Sequence, residues 1–362
     1  MVVITPIVIL YSVLLIVLMA GWSRAIRKKV LGKTFRPPFI SVVVPVRNEE
    51  KNLDRLLQSI RQQDHSNFEI LVVDDHSTDR SVEIAMKNGA TNQIVLRNQG
   101  QGKKSAITTA VRAAKGSLIA TTDADCVLPR TWLTDISLQF HSEKVNLAFG
   151  GVRMTTNGKF FSVLQSMEFA SLIGSGAATA ALGFPTLCNG ANLIYRKSVF
   201  ESVNGYDGNL TIASGDDEFL MRKIQKHFPG SVFFLNSPTA VVDTESQSNF
   251  SVFLQQRLRW ASKWRYNSSR FTVALSIFIL LAQVSWIGCL ALLIISFRFD
   301  LLTLMLTKMV LEFVFLLRVC RWMKANWNGL AFLVLQVVYP FYVLGVGIAS
   351  NFVKGSWKGR RI

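Results

Sequence analysis

Residues 2–22 form an apolar run with no charged side chain, interrupted only by Thr5, Pro6, Ser12 and Gly21. That is about the ~20 residues a helix needs to cross a bilayer. No charge precedes the run, whereas Arg24, Arg27, Lys28, Lys29, Lys33 and Arg36 come after it. A secretory signal peptide has the opposite order. The excess of Lys and Arg after the run predicts an N-terminus outside and a cytoplasmic location for the chain beyond Arg24. Any soluble chemistry is therefore built beside a lipid surface.

Composition agrees with a soluble domain attached to a few spans. Half of the 362 residues are hydrophobic and the mean hydropathy is +0.31, yet 17% are charged, more than a pure membrane bundle carries. Disorder, collagen-like repeats and a disulfide-stapled mini-domain are excluded. The net charge of +17 fits basic loops facing anionic headgroups better than nucleic acid, because the basic residues cluster beside apolar segments. Cys126, Cys188, Cys289 and Cys320 are scattered and read as reduced thiols, not a zinc site or disulfide frame.

Three further apolar segments occupy 271–297, 301–317 and 330–352. The second contains Lys308 and Glu312, which at i and i+4 pair on one helix face; it reads equally as a span with functional charges and as a partly interfacial helix. Four full crossings would put the basic tail (Lys354, Lys358, Arg360, Arg361) outside, against the positive-inside rule. Either the second segment does not cross or the tail breaks the rule. The expected organisation is an N-terminal transmembrane helix (1–23), a basic linker (24–38), a catalytic domain (39–248), an interfacial helix (249–270), C-terminal transmembrane segments (271–353) and a basic tail (354–362).

Between 39 and 238 short β-branched runs alternate with helical stretches: strands at 39–46, 68–73, 93–96 and 117–122, helices at 50–63, 79–88 and 105–114. Such alternation predicts an α/β fold, a mostly parallel sheet with helices on both faces. Ligands then sit outside the carboxyl ends of the strands. Those ends are polar: Pro45-Val46-Arg47-Asn48-Glu49-Glu50, Asp74-Asp75-His76-Ser77-Thr78-Asp79 and Asp123-Ala124-Asp125. Helix capping accounts for Asn48 and for Ser77 or Thr78, but not for Asp74, Asp75, Asp123 and Asp125 meeting at one sheet edge, where they repel unless a cation or donor-rich ligand joins them. Asp123 and Asp125, alternating in an extended segment, point to one side and suit Mg²⁺ or Mn²⁺ completed by phosphate oxygens.

Two rival nucleotide folds fail. The first strand does not lead into the Gly-x-Gly-x-x-Gly of a dinucleotide site, and Gly102-Lys103-Lys104-Ser105 lacks the upstream Gly and the Ser or Thr of a phosphate loop.

In order along the chain stand Pro45-Val-Arg-Asn-Glu-Glu, Val-Val-Asp-Asp-His-Ser-Thr-Asp79, Gly102-Lys103, Asp123-Ala-Asp125, Gly215-Asp-Asp217 and Gln256-Arg-Leu-Arg-Trp260. Together they resemble the membrane-bound family 2 glycosyltransferases of the GT-A fold, over residues 39 to 266. Two positions depart: that family more often has Gly at His76 and Glu at Asp216. The resemblance implies a nucleotide-sugar donor, with Asp75 accepting from its base, uracil first, and Pro45, Asn48 and Glu49 lining that pocket. It implies Lys103 near the ribose or diphosphate, Asp123 and Asp125 on the metal, and Asp217 as general base. Gln256, Arg259 and Trp260 would close the acceptor and diphosphate side.

Asp217 lies in Ser214-Gly215-Asp216-Asp217-Glu218 at a helix start, where acidic residues also complement the helix N-terminus; Asp216 is the alternative base. Gln256, Arg259, Trp260 and Lys263 share one helix face, while Arg257, Arg265, Trp264 and Tyr266 suit a membrane interface. Residues 160–182, apolar around Gln165 and Glu168 but rich in Gly and Ser, read as a second interfacial helix. The expected activity is inverting sugar transfer to a lipid or lipid-linked acceptor at the cytoplasmic face. The alternatives are a processive polysaccharide synthase, for which the C-terminal segments look too few, and a non-catalytic membrane scaffold, which the retained carboxylates disfavour.

Overall fold

The computed structural model describes residues 4–27, 37–87, 89–210, 212, 214–266, 269–296 and 298–352, with backbone alone at 264, 265, 356, 357, 360 and 361. The expectations for Lys28, Lys29, Lys33 and Arg36, for the Trp264 and Arg265 side chains, and for the basic tail lie outside the described residues.

Ten strands build the soluble part: β1 (Ile40–Val46), β2 (Phe68–Asp74), β3 (Gln93–Arg97), β4 (Leu118–Thr121), β5 (Cys126–Val127), β6 (Leu147–Phe149), β7 (Val152–Thr155), β8 (Leu193–Arg196), β9 (Val232–Phe234) and β10 (Val242–Glu245). Seven form one sheet in the order β3-β2-β1-β4-β8-β6-β9, and β5-β10-β7 form a small second sheet. In the large sheet β1 runs parallel to β2 and β4, β2 to β3, and β6 to β9; β8 alone is antiparallel to its neighbours. Val42, Val43 and Val44 of β1 and Ile70 to Val73 of β2 are buried on both faces, as parallel strands covered by helices are.

The described residues also include twelve α-helices: α1 (Ile4–Ala25), α2 (Leu53–Arg61), α3 (Ser81–Lys87), α4 (Lys103–Ala113), α5 (Trp132–Gln139), α6 (Phe160–Ala181), α7 (Lys197–Ser202), α8 (Asp216–His227), α9 (Phe250–Ser262), α10 (Arg270–Ile295), α11 (Phe299–Met323) and α12 (Gly329–Ala349). Helix α4 starts two residues earlier than the sequence suggests. Gly102 precedes it at φ +87°, a conformation glycine adopts without penalty, and Lys103 thereby enters the first turn.

Helices α1, α10 and α12 are long and apolar enough to cross a membrane. Helix α11 is not in that set, yet it packs along α1: Val8, Leu301 and Met305 share a cluster with Trp286 and Cys289 at one end. At the other, Arg318 donates to Ser23 Oγ and the rings of Trp22 and Trp322 meet at 5.5 Å. The expected Lys308–Glu312 pair exists at 2.8 Å and is buried, with Lys308 donating to Gln336 and Tyr11 to Glu312.

Helix α6 corrects the reading of 160–182 as an interfacial helix. Most of it is buried, packed between the sheets, α1 and α11. Its small residues permit that approach: a Cβ on Gly174 would lie 2.5 Å from Val319 Cγ2, and one on Gly21 of α1 would lie 2.6 Å from the Ala178 carbonyl. Arg153 of β7 ties the soluble part to the membrane-type helices. It grips Asp243 with two bonds of 2.6 and 2.7 Å and donates to the carbonyls of Met323 and Lys324 at the end of α11.

Candidate active site

A cavity of about 1190 Å³ opens beyond the carboxyl ends of β1, β2 and β4 and continues between α6, α9, α10 and α12. Asp75 comes directly after β2. Its N–H donates to Val46 O at 2.7 Å, and its buried carboxylate accepts from Asn98 Nδ2 at 2.7 Å and the Gly102 N–H at 3.0 Å. Arg47 donates to the carbonyls of Asp75 and His76. His76 sits at φ +58°, a left-handed conformation that costs a non-glycine residue roughly 1 kcal/mol. That explains why glycine is the commoner residue in the pattern this chain resembles.

After β4, Ala124 is buried while Asp123 and Asp125 line the cavity. Lys103 Nζ lies 2.7 Å from Asp123 Oδ1 and 3.0 Å from Asp216 Oδ2. Burial pushes this ammonium's pKa down, but Asp123 and Asp216 outweigh it and raise the pKa above its ordinary value. Among the described residues no group of three or more His, Cys, Asp and Glu could hold a metal. Two carboxylates on one cavity wall fit a hard cation of the Mg²⁺ type, which takes one or two carboxylates and completes its shell with water and substrate phosphates.

Asp216 and Asp217 open α8, capped by Gly215 at φ +81°. Asp217 Oδ2 accepts the Gly190 N–H at 3.1 Å and Oδ1 the Glu218 N–H at 2.7 Å. Burial pushes the Asp217 carboxyl up to about 6; Lys263 opposes this, and Asp216 and Glu218 add to it. Burial acts on Asp216 in the same sense, but Lys103 and then Lys104 prevail and hold it below the usual carboxylate range. Lys263 reaches Glu218 at 2.6 Å, and Arg222 reaches Glu218 at 2.9 Å.

Helix α9 is capped by Asn249, whose Oδ1 accepts from the Val252 N–H. Gln256, Arg259, Trp260 and Lys263 all line the cavity, as their helical spacing predicts. Burial lowers the Arg259 pKa despite the pull of Asp123, Asp216 and Asp217.

Residues 41–203 match the family model described as Glycosyl transferase family 2. That stretch of the chain is a family 2 glycosyltransferase domain. It is 27% identical over 195 residues to Glycosyltransferase AglE of Haloferax volcanii, covering 51% of this chain and 61% of that protein. Over 98 residues it is 42% identical to an Undecaprenyl-phosphate 4-deoxy-4-formamido-L-arabinose transferase of Edwardsiella ictaluri, 25% of this chain and 30% of that one. The chain thus spans no more than about three fifths of the length of these curated relatives. In fold it is similar to the mannosyltransferase PcManGT of Pyrobaculum calidifontis, solved with GDP-Man and Mn²⁺: TM-score 0.61, 16% identity, 97% of this chain and 99% of that one. The GT-A nucleotide-sugar-binding sheet with transmembrane-type helices is the fold class expected from the sequence.

Pro45, Glu49, Asp75, Lys103, Asp123, Asp125, Asp217, Gln256, Arg259 and Trp260 line one cavity. Asn48 stands apart from these. It does not join the lining; its Oδ1 accepts the Thr78 N–H at 2.8 Å and its own N–H donates to Ser77 Oγ, so it braces the loop behind Asp75. Asp74 likewise turns to the Ser77 N–H at 3.0 Å. Arg257, expected at the lipid interface, is 3% exposed and ion-paired with Glu168. Lys104 gains its role only in the fold. It donates to the carbonyls of Asn209, Ile212 and Ser214 at 2.8, 2.7 and 3.0 Å, and burial pushes its pKa down to about 8. The one signal for either residue is a charge inside an otherwise amphipathic or apolar helix.

Proposed function

We propose that this chain is an inverting, metal-assisted glycosyltransferase. It would move a sugar from a nucleoside-diphosphate donor, UDP-linked first, to a hydroxyl of a lipid or lipid-linked acceptor at the cytoplasmic membrane face. One observation carries the reading: a single cavity has Asp75, Asp123, Asp125 and Asp217 at one end. At the other it has Leu172, Ile173, Leu275, Ile279, Val343 and Val346 of the membrane-proximal helices. A polar donor and an apolar chain meet there. An apolar wall suits an alkyl chain better than a hydrated polymer.

In this reading Asp75 accepts from the donor's base, with Pro45 and Glu49 as walls, and Lys103 faces the diphosphate. Asp123 and Asp125 hold Mg²⁺ or Mn²⁺, which when bound neutralises charge on the leaving diphosphate as a Lewis acid. The mannosyltransferase of similar fold was solved with Mn²⁺, in keeping with that assignment. Asp217, with a pKa raised to about 6, takes the proton of the acceptor hydroxyl as it attacks. A general base works best with a pKa near the operating pH. Asp216, held ionised by Lys103, is poorly suited to that step and instead fixes the ammonium. Attack from Asp217's side, opposite the leaving group, gives inversion. Gln256, Arg259 and Trp260 close the site from α9, and the similarity to an undecaprenyl-phosphate transferase supports a lipid carrier in the acceptor.

The test is a panel of nucleotide sugars offered to the purified chain in lipid, scored for metal-dependent release of nucleoside diphosphate and for product size. The expected result is one donor consumed and one sugar added. A product ladder identifies a processive synthase, and no turnover with any donor contradicts the reading.

A further inference from the structure

The cavity that holds the carboxylates and the apolar wall is also lined by a buried ion pair that the proposed chemistry does not use. Arg257 is 3% exposed and Glu168 7%, and both line the cavity. Arg257 donates to Glu168 through Nη2 and to Gln256 Oε1 through Nη1 at 2.8 Å, while its Nε has no hydrogen-bond partner among the described residues. The guanidinium is sandwiched by aromatic rings, Phe253 at 4.6 Å and Trp260 at 4.4 Å to the centroids. Phe169 stands 6.0 Å from Trp260, and Tyr339 and Tyr342 complete this stretch of the lining.

A buried ion pair is weak evidence for stability, since well-packed apolar residues of like volume serve as well or better. An unpartnered buried donor is costly as well. The ion pair makes sense if a ligand in the cavity uses it. The pair is charge-balanced, so it does not select for an anion. It offers donors and acceptors side by side between aromatic faces, which is the chemistry that recognises vicinal hydroxyls on a ring with an apolar face. Arg257 and Lys263 are six residues apart on and just beyond α9, roughly 9 Å at 1.5 Å per residue. Lys263 contacts Glu218, the neighbour of Asp217. The subsite is therefore set apart along α9 from the residue that contacts the neighbour of Asp217.

We infer that Arg257 and Glu168, with Tyr342, form a subsite for a sugar ring that the acceptor already carries. The acceptor is then a glycosylated lipid, extended rather than started by this enzyme, and an earlier transfer reaction must attach the first sugar to the lipid. This inference rests on the proposed function for the identity of the reaction, but the subsite is testable without turnover.

The probes are hexyl β-glucoside, hexyl N-acetylglucosaminide and hexyl mannoside, with hexyl phosphate and hexanol as sugarless controls. Binding to the full chain in nanodiscs is read by saturation-transfer NMR and by titration. At least one glycoside is expected to show saturation on its ring protons and to bind at least tenfold tighter than either control. The charge-balanced double variant Arg257→Met with Glu168→Leu, and separately Tyr342→Phe, should weaken glycoside binding while leaving the affinity for hexanol in place; that retained affinity also reports that each variant is folded. Hexyl phosphate binding better than every glycoside, or glycoside binding that neither variant alters, overturns the inference. Failure of the donor panel with intact glycoside binding would contradict the glycosyltransfer reading and leave the sugar subsite standing.

Discussion

Asp216 and Asp217 are adjacent in the chain, and their pKa values are pushed in opposite directions. Lys103 stands 3.0 Å from Asp216 and holds that carboxyl below its usual range, whereas burial lifts Asp217 to about 6. Two neighbouring carboxyls pushed apart in pKa mark an assignment of roles. The base must be ionised to act, so activity is expected to fall as pH drops through about 6. Asp217→Asn should reduce kcat by about 10²- to 10⁴-fold, the usual worth of general-base catalysis, and should abolish the acidic limb of the pH profile.

The same shift has a consequence for stability. An acid whose folded pKa lies above its ordinary value of 3.8 binds its proton more tightly folded than unfolded, so stability is lost as pH rises from about 4 through 6. Asp217→Asn removes the ionisation that causes the loss. Thermal melts at pH 7.5 should show the variant at least as stable as the parent, with the advantage gone at pH 4.

Lys103 already neutralises Asp123 at 2.7 Å, so a cation held at the proposed site would have to share that carboxylate and would depend the more on Asp125. Chelator treatment is expected to stop donor turnover, and added Mg²⁺ or Mn²⁺ to restore it. Asp125→Ala should raise the metal concentration for half-activation at least tenfold, read by titrating metal at fixed donor.

Lys104 acts one layer behind. Its ammonium satisfies three carbonyls of the loop leading to Gly215, and it packs 4.7 Å from the Phe219 ring. Lys104→Met leaves three carbonyls, that of Ser214 buried, short of a donor, at about 1–3 kcal/mol, and loosens the segment that presents Asp217. The expected result is a lower Tm and lower kcat with donor KM nearly unchanged; a changed KM alone would argue against a positioning role.

The sheet edge was legible because its signals are local. A β-branched run ending in Asp75, or in Asp123-Ala-Asp125, declares both the strand and the side on which its carboxylates emerge. The face of α9 was legible for the same reason, four residues at helical spacing. Arg257 and Lys104 were not, because their partners come from far along the chain: Glu168 is 89 residues away, and the carbonyls of Asn209, Ile212 and Ser214 are 105 to 110 away. Asn48 shows that a polar residue beside a site can also serve the loop, through its bond to the Thr78 N–H. The glycines of α6 read as breaks in the sequence; in the fold the space at Gly174 belongs to Val319.

Gly21 tests the packing between α1 and α6. A side chain there would meet the Ala178 carbonyl at 2.6 Å and Leu182 at 2.9 Å, and backbone cannot yield as a flexible side chain does. Gly21→Val is expected to destabilise the chain by roughly 1–3 kcal/mol, the usual cost of overpacking, seen as a lower melting temperature in lipid nanodiscs.

One cavity holds both the proposed nucleotide-sugar cleft, with Asp217, and a wall of apolar residues from α6, α10 and α12. The most direct measurement follows a radiolabelled sugar from its nucleotide donor, using the purified chain in nanodiscs supplied with extracted membrane lipids. Label is expected in the organic-extractable fraction, with inverted anomeric configuration, and to be absent with Asp217→Asn. Label confined to water-soluble polymer, or undiminished transfer by Asp217→Asn, would contradict it.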